Sequence, residues 1–270
     1  MIKSSIYTTA YLLNKNNFKF LDNLIKFSKF ANEVVIASCE DGLVDGSEQL
    51  ILDFIKYNDL YNVDFYISHD INFSQNTFDG ALKNFALQNT KNEIKLQFDL
   101  DESPVLSQKP IWDHVYEDLI NSNYDAVFIP SIDLYGSEKY IRKNHKIGQK
   151  WRIHKAGLYR GVVNFAKNND SSFDTEKSDS CELLNSFGNL VNTINITPPE
   201  LLMPENSKML AKDYLYTIHH GYLNLGYRAN INKTWWQQKW RERTNKEINV
   251  TIDIKKLESE DLIEHNLPLD

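Results

Sequence analysis

Ile94-Lys-Leu-Gln-Phe-Asp-Leu-Asp-Glu102, IKLQFDLDE, alternates apolar and polar residues as far as Phe98 and then sets Asp99 and Asp101 one residue apart. A period of two marks a β-strand with unlike faces. The surrounding segments decide what sheet it joins. Upstream, SSIYTTAYL at 4–12 reads as a first strand, and 18–30 carries Phe20, Leu21, Leu24, Ile25 and Phe27 as a helical stripe. EVVIAS at 33–38 is a short apolar strand. The loop CEDGLVDGS follows, and its Ser47 is placed to cap the helix EQLILDFIKY. A strand VDFYIS, a helix over 76–88, the strand ending at Phe98, a helix over 109–121 and a strand DAVFI complete the series. Strands alternating with helices of about 10 to 15 residues predict right-handed crossovers and a largely parallel sheet. In such sheets ligands bind beyond the carboxyl ends of the strands, which is where Asp99 and Asp101 stand.

Paired carboxylates at that edge suit a hard divalent cation, which takes oxygen ligands and keeps positions open for phosphate oxygens. The same residues also fit an acidic turn ahead of Pro104, and the motif alone leaves both readings open. Composition narrows the classes. The chain has 270 residues, 41% hydrophobic and 25% charged, as in a soluble folded protein. No stretch nears the roughly 18 to 20 apolar residues needed to span a bilayer, so a cytoplasmic protein is expected. Cys39 and Cys181 have neither metal-ligand spacing nor the density of a disulfide framework. A formal net charge of -7 argues against general nucleic-acid binding.

Three segments in order, EVVIASCEDGLVDGS, GALKNFALQNTKNEIKLQFDLDE and IHHGY, resemble the family 2-like nucleotide-sugar glycosyltransferases of the GT-A fold. They look like that family's strand with an acidic Asp-Gly-Ser loop, its helix running into Asp-x-Asp, and its late His-x-Gly-Tyr. The resemblance covers residues 4–225. It departs at Thr8-Thr9-Ala10-Tyr11 for the family's Pro-Thr-Tyr-Asn, at Lys83 for an arginine and at Asn92 for a glycine. It implies a Rossmann-like GT-A α/β fold with a mostly parallel central sheet flanked by helices. The catalytic domain would span 1–225, with a nucleotide-binding half at 1–103 and an acceptor half at 104–225. A C-terminal helical extension on the acceptor side would occupy 226–270.

The resemblance also implies an activity: metal-dependent transfer of a sugar from a nucleoside diphosphate sugar, with inversion. Asp41 would contact the base, Thr9 would line that pocket, and Lys83 would sit near ribose or phosphates. Asp101 would bind the metal directly, and Asp99 would hold the ribose or a metal-bound water. His219 would close over metal and diphosphate, with His220 as the alternative. A carboxylate at Asp41 can accept the imino N–H of uracil or guanine, which favours UDP- or GDP-sugars. The metal would be Mn2+ or Mg2+, and an imidazole ligand favours manganese.

Inversion requires a carboxylate base for the acceptor's proton. The family's His-Glu is here Asn164-Phe165, so the base would lie elsewhere, with Asp174, Glu176 and Asp179 as candidates in the polar loop at 167–180. Arg152 and Arg160 read either as phosphate contacts or as exposed arginines on a β-hairpin. The acceptor, whether glycan, lipid carrier or protein, is not legible. YRANINKTWWQQKWRERTNK at 227–246 sets Trp236 and Trp240 on one helical face among basic residues, so it can pack on the catalytic domain or lie on an anionic membrane. KKLESEDLIEHNLPLD at 255–270 reads as a short helix and a frayed tail. Two other classes remain: a degenerate nucleotide-binding module, given Phe165, and a nucleotidyltransferase, whose Gly-rich phosphate loop has no counterpart at Ala10–Phe18.

Overall fold

This computed structural model describes residues 2–13, 18–72, 78–142, 148–155, 157–162, 180–196, 215–223, 262–265 and 267–270. The first half runs β1 (Ser4–Thr9), α1 (Asp22–Phe30), β2 (Glu33–Cys39), α2 (Ser47–Tyr57), β3 (Val63–Ser68), α3 (Phe78–Gln88), β4 (Ile94–Gln97). Next come β5 (Glu102–Pro104), α4 (Lys109–Ile120), β6 (Ala126–Tyr135), β7 (Tyr140–Arg142) and β8 (Gly148–His154). The remaining strands are β9 (Gly157–Val162), β10 (Ser180–Asn185), β11 (Thr193–Asn195), β12 (Thr217–Tyr222) and β13 (Leu262–Glu264).

The central sheet has the order β13-β7-β6-β8-β4-β1-β2-β3. Pairings within β4-β1-β2-β3 are parallel. β8 runs antiparallel to both β4 and β6, which leaves β6 running in the same direction as β4. β11 and β12 add to β6 in parallel. β2 explains the sandwiching helices, because all seven of its residues are buried. Val34 and Ile36 join a cluster with Leu24, Phe27 and Trp112 from α1 and α4, whereas Val35, Ala37 and Cys39 join Leu82 and Ala86 of α3. Alternate residues thus meet different helices, so a strand covered on both faces reads as a continuous apolar run. Each fully buried large side chain contributes about 1.5–3 kcal/mol.

The chain leaves β1 for β2 on one side and returns through β4 on the other. In open sheets of this kind ligands bind at such a switch point, here the carboxyl ends of β1 and β4. Asp99 and Asp101 follow β4 directly, in the turn leading into β5.

Two expectations are corrected. Ser47 is the first residue of α2 rather than its cap: Gly46, at φ 87°, holds the N-cap position. The Ser47 hydroxyl instead accepts from the Leu13 N–H at 2.7 Å, tying the segment after β1 to α2. At the other end, Leu262–Glu264 form a strand antiparallel to β7 where a short helix and frayed tail were expected. Leu267 packs with Ile132, Leu134 and Ile218, and the Asp270 carbonyl accepts the Leu106 N–H at 2.8 Å. The open edge of β7 and this apolar cluster hold the segment down. The tryptophans at 235, 236 and 240, and with them the expected helix at 227–246, lie outside the described residues. Among the described residues no helix is long and apolar enough to cross a membrane.

Candidate functional site

The turn after β4 is fixed from three directions. Leu100 is buried and its carbonyl accepts from Asn23 of α1 at 2.7 Å. The Asp101 carbonyl accepts the His220 N–H at 2.7 Å, joining the turn to β12, which also pairs with β5. The Asp99 N–H donates to Glu102 Oε2 at 2.9 Å, and the Glu102 N–H returns to the Asp99 carbonyl at 2.9 Å. Asp99 and Asp101 therefore occupy set positions, with different surroundings.

Asp99 lies among cations. Lys150 Nζ is 2.7 Å from Asp99 Oδ2 and 2.6 Å from Glu102 Oε1, while Lys83 Nζ is 3.6 Å from Asp99 Oδ1. Gln97 Nε2 donates to Asp99 Oδ1 at 2.8 Å. Burial by itself would raise the Asp99 carboxyl, but Lys150, Lys83 and Arg152 prevail and hold it well below the usual carboxylate range. Behind it, Arg152 grips Glu102 with both terminal nitrogens, Nη1 to Oε2 at 2.6 Å and Nη2 to Oε1. Both side chains are 0% exposed. Burial disfavours the charge on Glu102, and Arg152 and Lys150 overcome it to leave the carboxyl below its ordinary value.

Asp101 lies beside an imidazole and a second carboxylate. His219 Nε2 is 3.1 Å from Asp101 Oδ2, and its Nδ1 is 2.6 Å from Asp133 Oδ1. Burial pushes the His219 ring down, yet the two carboxylates raise it to about 9. Gly221 makes this approach possible, because a Cβ there would stand 2.5 Å from His219 Nε2 and 3.0 Å from Asp101 Oδ2. The pairing of β12 with β6 shifts register between His219, opposite Asp133, and Tyr222, opposite Tyr135. His220 faces elsewhere: its Nε2 is 2.9 Å from Ser103 Oγ, and burial pushes it down to about 4.

The structure thus brings Lys83, Asp99, Asp101 and His219 together. Thr9 ends β1, half-buried, and Asp41 stands exposed in the 3-10 turn Glu40–Gly42 after β2, both at the carboxyl end of the sheet. Tyr11 packs so closely on Gly42 that a Cβ there would come within 2.8 Å of its ring. Arg152 corrects its expected place, for it is neither exposed on a hairpin nor at the protein surface. Its guanidinium is enclosed and engaged with Glu102, and only through that partner does it bear on Asp99. Asp174, Glu176 and Asp179 lie outside the described residues, and Arg160 stands in β9.

Sequence reading missed Glu102, Asp133 and Lys150. Each left a local trace: Glu102 adjoins Asp101, Asp133 interrupts the apolar run of β6, and Lys150 shares a face of β8 with Arg152 at a spacing of two.

The His219 Nε2 and Asp101 Oδ2 atoms, 3.1 Å apart, have the separation of neighbouring ligands at about 2.1 Å from one octahedral ion. Asp133 would orient the imidazole from its other nitrogen, the usual carboxylate–histidine support of a metal ligand. Among the described residues no group of three or more His, Cys, Asp or Glu is arranged to hold a metal. A cation here would therefore draw its other ligands from water or substrate oxygens, as magnesium-type sites do.

No protein-family model matches the chain, and no curated protein does. Solved structures similar to it include S. aureus TarS 1-349, at 21% identity and a TM-score of 0.36 over 49% of this chain and 36% of that one. The same protein in complex with UDP-GlcNAc matches over 89% of this chain and 73% of that one, at 13% identity and a TM-score of 0.42. The mannosyltransferase PcManGT from Pyrobaculum calidifontis, in complex with GDP-Man and Mn2+, matches at 15% identity and a TM-score of 0.36, over 47% of this chain and 35% of that one. The chain thus spans about a third of the first and third of these. At such identities and scores the likeness assigns this chain no activity.

Proposed function

We propose that this protein transfers a sugar from a nucleoside diphosphate sugar to an acceptor, with a divalent cation, Mn2+ or Mg2+, held by Asp101 and His219. The observation that carries the reading is the 3.1 Å approach of His219 Nε2 to Asp101 Oδ2 at the switch point of the sheet, next to the cations around Asp99. When bound, the cation supplies Lewis-acid neutralisation of the departing diphosphate. The protein's own groups supply the rest. Asp133 orients the imidazole, Gly221 gives it room, and Asp99 meets the donor's ribose or a water of the cation. Lys83 faces the diphosphate, while Thr9 and Asp41 line the base pocket. UDP and GDP sugars suit a carboxylate at Asp41, because both bases carry an imino N–H.

Inversion is the stereochemical course this reading takes, and a carboxylate from Asp174, Glu176 or Asp179 is its base. The catalytic unit is 1–225 and the extension 226–270, whose 227–246 segment is the place to look for contact with a lipid-linked acceptor or a membrane. Calorimetry of UDP, GDP and their sugar conjugates with and without Mn2+ tests the reading. Binding of one nucleotide that strengthens with Mn2+ supports it. Absence of binding to all of them contradicts it.

A further inference from the structure

Around Asp99, three cations meet two carboxylates. Arg152 neutralises Glu102 inside the protein, where both side chains are 0% exposed. Asp99 then faces Lys150 and Lys83 together. Of these cations the two lysines lie outward: the Lys150 side chain is 43% exposed and that of Lys83 is 23%. Across the turn two carboxylates, Asp101 and Asp133, meet the His219 imidazole. A site with an anionic side and a cationic side matches a cation bound to a diphosphate. The cationic side also presents an anion-binding surface of its own.

We propose that Lys150 binds the donor's diphosphate directly, from the Asp99 side, and does so without the divalent cation. This rests on the reading of the site as a nucleoside diphosphate sugar site. An ammonium has three N–H donors, and Asp99 and Glu102 take two of those of Lys150 at 2.7 and 2.6 Å, which leaves one for a phosphate oxygen. Held by two carboxylates, the ammonium is already in place when the ligand arrives and gives up little rotamer freedom. Glu102 is its positioning residue, with one oxygen on Lys150 and the other on the Asp99 N–H. Arg152 positions Glu102 in turn. A buried ion pair is weak evidence for stability, because desolvation offsets most of the attraction. Holding Lys150 and the Asp-x-Asp turn in register gives this pair a task that stability alone does not.

The test is calorimetric binding of UDP and GDP, and of uridine and guanosine, to the full chain, in EDTA and in Mn2+. Wild type is compared with Lys150→Met and Lys150→Arg. The proposal expects diphosphate binding in EDTA that is weaker than in Mn2+ but measurable. Lys150→Met lowers it about 10- to 100-fold in both conditions, the range for a hydrogen bond to a charged group. Nucleoside affinity stays within about twofold, and Lys150→Arg, which keeps the charge, retains part of the diphosphate affinity. Equal diphosphate affinity in wild type and Lys150→Met overturns the assignment of Lys150 alone. So does an equal loss for nucleoside and diphosphate, which marks a structural effect. If wild type binds neither diphosphate even with Mn2+, the reading of the site fails and the proposal with it.

Discussion

Asp99 and Asp101 are one residue apart and chemically identical, yet the fold gives them opposite neighbourhoods. Asp99 faces Lys150 and Lys83 with Arg152 behind, whereas Asp101 faces an imidazole that it shares with Asp133. The strand carries its residues to the same edge, and elements far along the chain then decide what each carboxylate meets: β8 for Asp99, β12 and β6 for Asp101. A sequence motif locates a site, but the partners that reach it across the sheet assign the roles.

The strongest way to break this contrast is to unbalance the buried pair behind Asp99. Arg152→Met removes the two-pronged partner of buried Glu102 and leaves it Lys150 alone, which costs up to about 3–5 kcal/mol. At roughly 2–4 °C per kcal/mol for a chain of this size, the melting temperature should fall by about 10 °C. Pairing the change with Glu102→Leu should recover much of the loss while still weakening donor binding. A melting temperature unchanged in Arg152→Met would mean the pair is not enclosed as described.

On the Asp101 side, Gly221→Ala pushes a methyl group into the His219 ring. Overpacking of this kind costs about 1–3 kcal/mol, and displacement of the ring should weaken Mn2+-dependent nucleotide binding by about 10- to 100-fold. Affinity in EDTA should barely change, which separates the two sides. Equal losses with and without Mn2+ would merge them.

Acid sharpens the contrast differently. Asp99 and Glu102 have depressed pKa values, so their contribution holds above the ordinary carboxylate range and is lost only as pH falls below it. His154 is buried against Tyr7, and burial lowers it to about 4. Between pH 6.5 and 4 the unfolded chain takes up a proton that the folded chain refuses, so stability falls with pH by up to about 1.4 kcal/mol per unit. Melts of His154→Gln across this window should show a flatter slope than wild type. An unchanged slope would place the acid-sensitive group elsewhere.

The smallest effect has the least intuitive sign. Asp99→Asn removes one of the carboxylates that balance Lys83 and Lys150. Inorganic pyrophosphate should bind about threefold to tenfold more tightly in EDTA, while recognition of the whole nucleotide weakens. Weaker pyrophosphate binding would show that Asp99, rather than the lysines, organises the anion site.

Much of the first half was legible because its signals are local. Period-two and helical apolar patterns placed β1 to β4 and their helices, while Asp99 and Asp101 stood out as a motif and the resemblance to a transferase family made His219 a candidate beside them. What escaped depends on distance. Arg152 and Glu102 stand 50 residues apart, and His219 and Asp101 stand 118 apart. No window of sequence records that β8 inserts between β4 and β6, so a hairpin arginine that looks exposed becomes a fully buried partner. Ser47 misled for a local reason: a left-handed Gly46 precedes it and takes the capping position. The strand at Leu262–Glu264 escaped because an edge pairing is set by the neighbour, β7, more than by its own three residues.

The central claim is that Asp101 and His219 form the cation side of a nucleotide site. Its most direct test is the affinity of the cognate nucleoside diphosphate, measured by calorimetry in EDTA and in Mn2+ for wild type and Asp101→Asn. The account predicts that Mn2+ strengthens binding to wild type and leaves Asp101→Asn unchanged at the wild-type EDTA affinity, with the melting temperature preserved. The same Mn2+ enhancement in Asp101→Asn would contradict it.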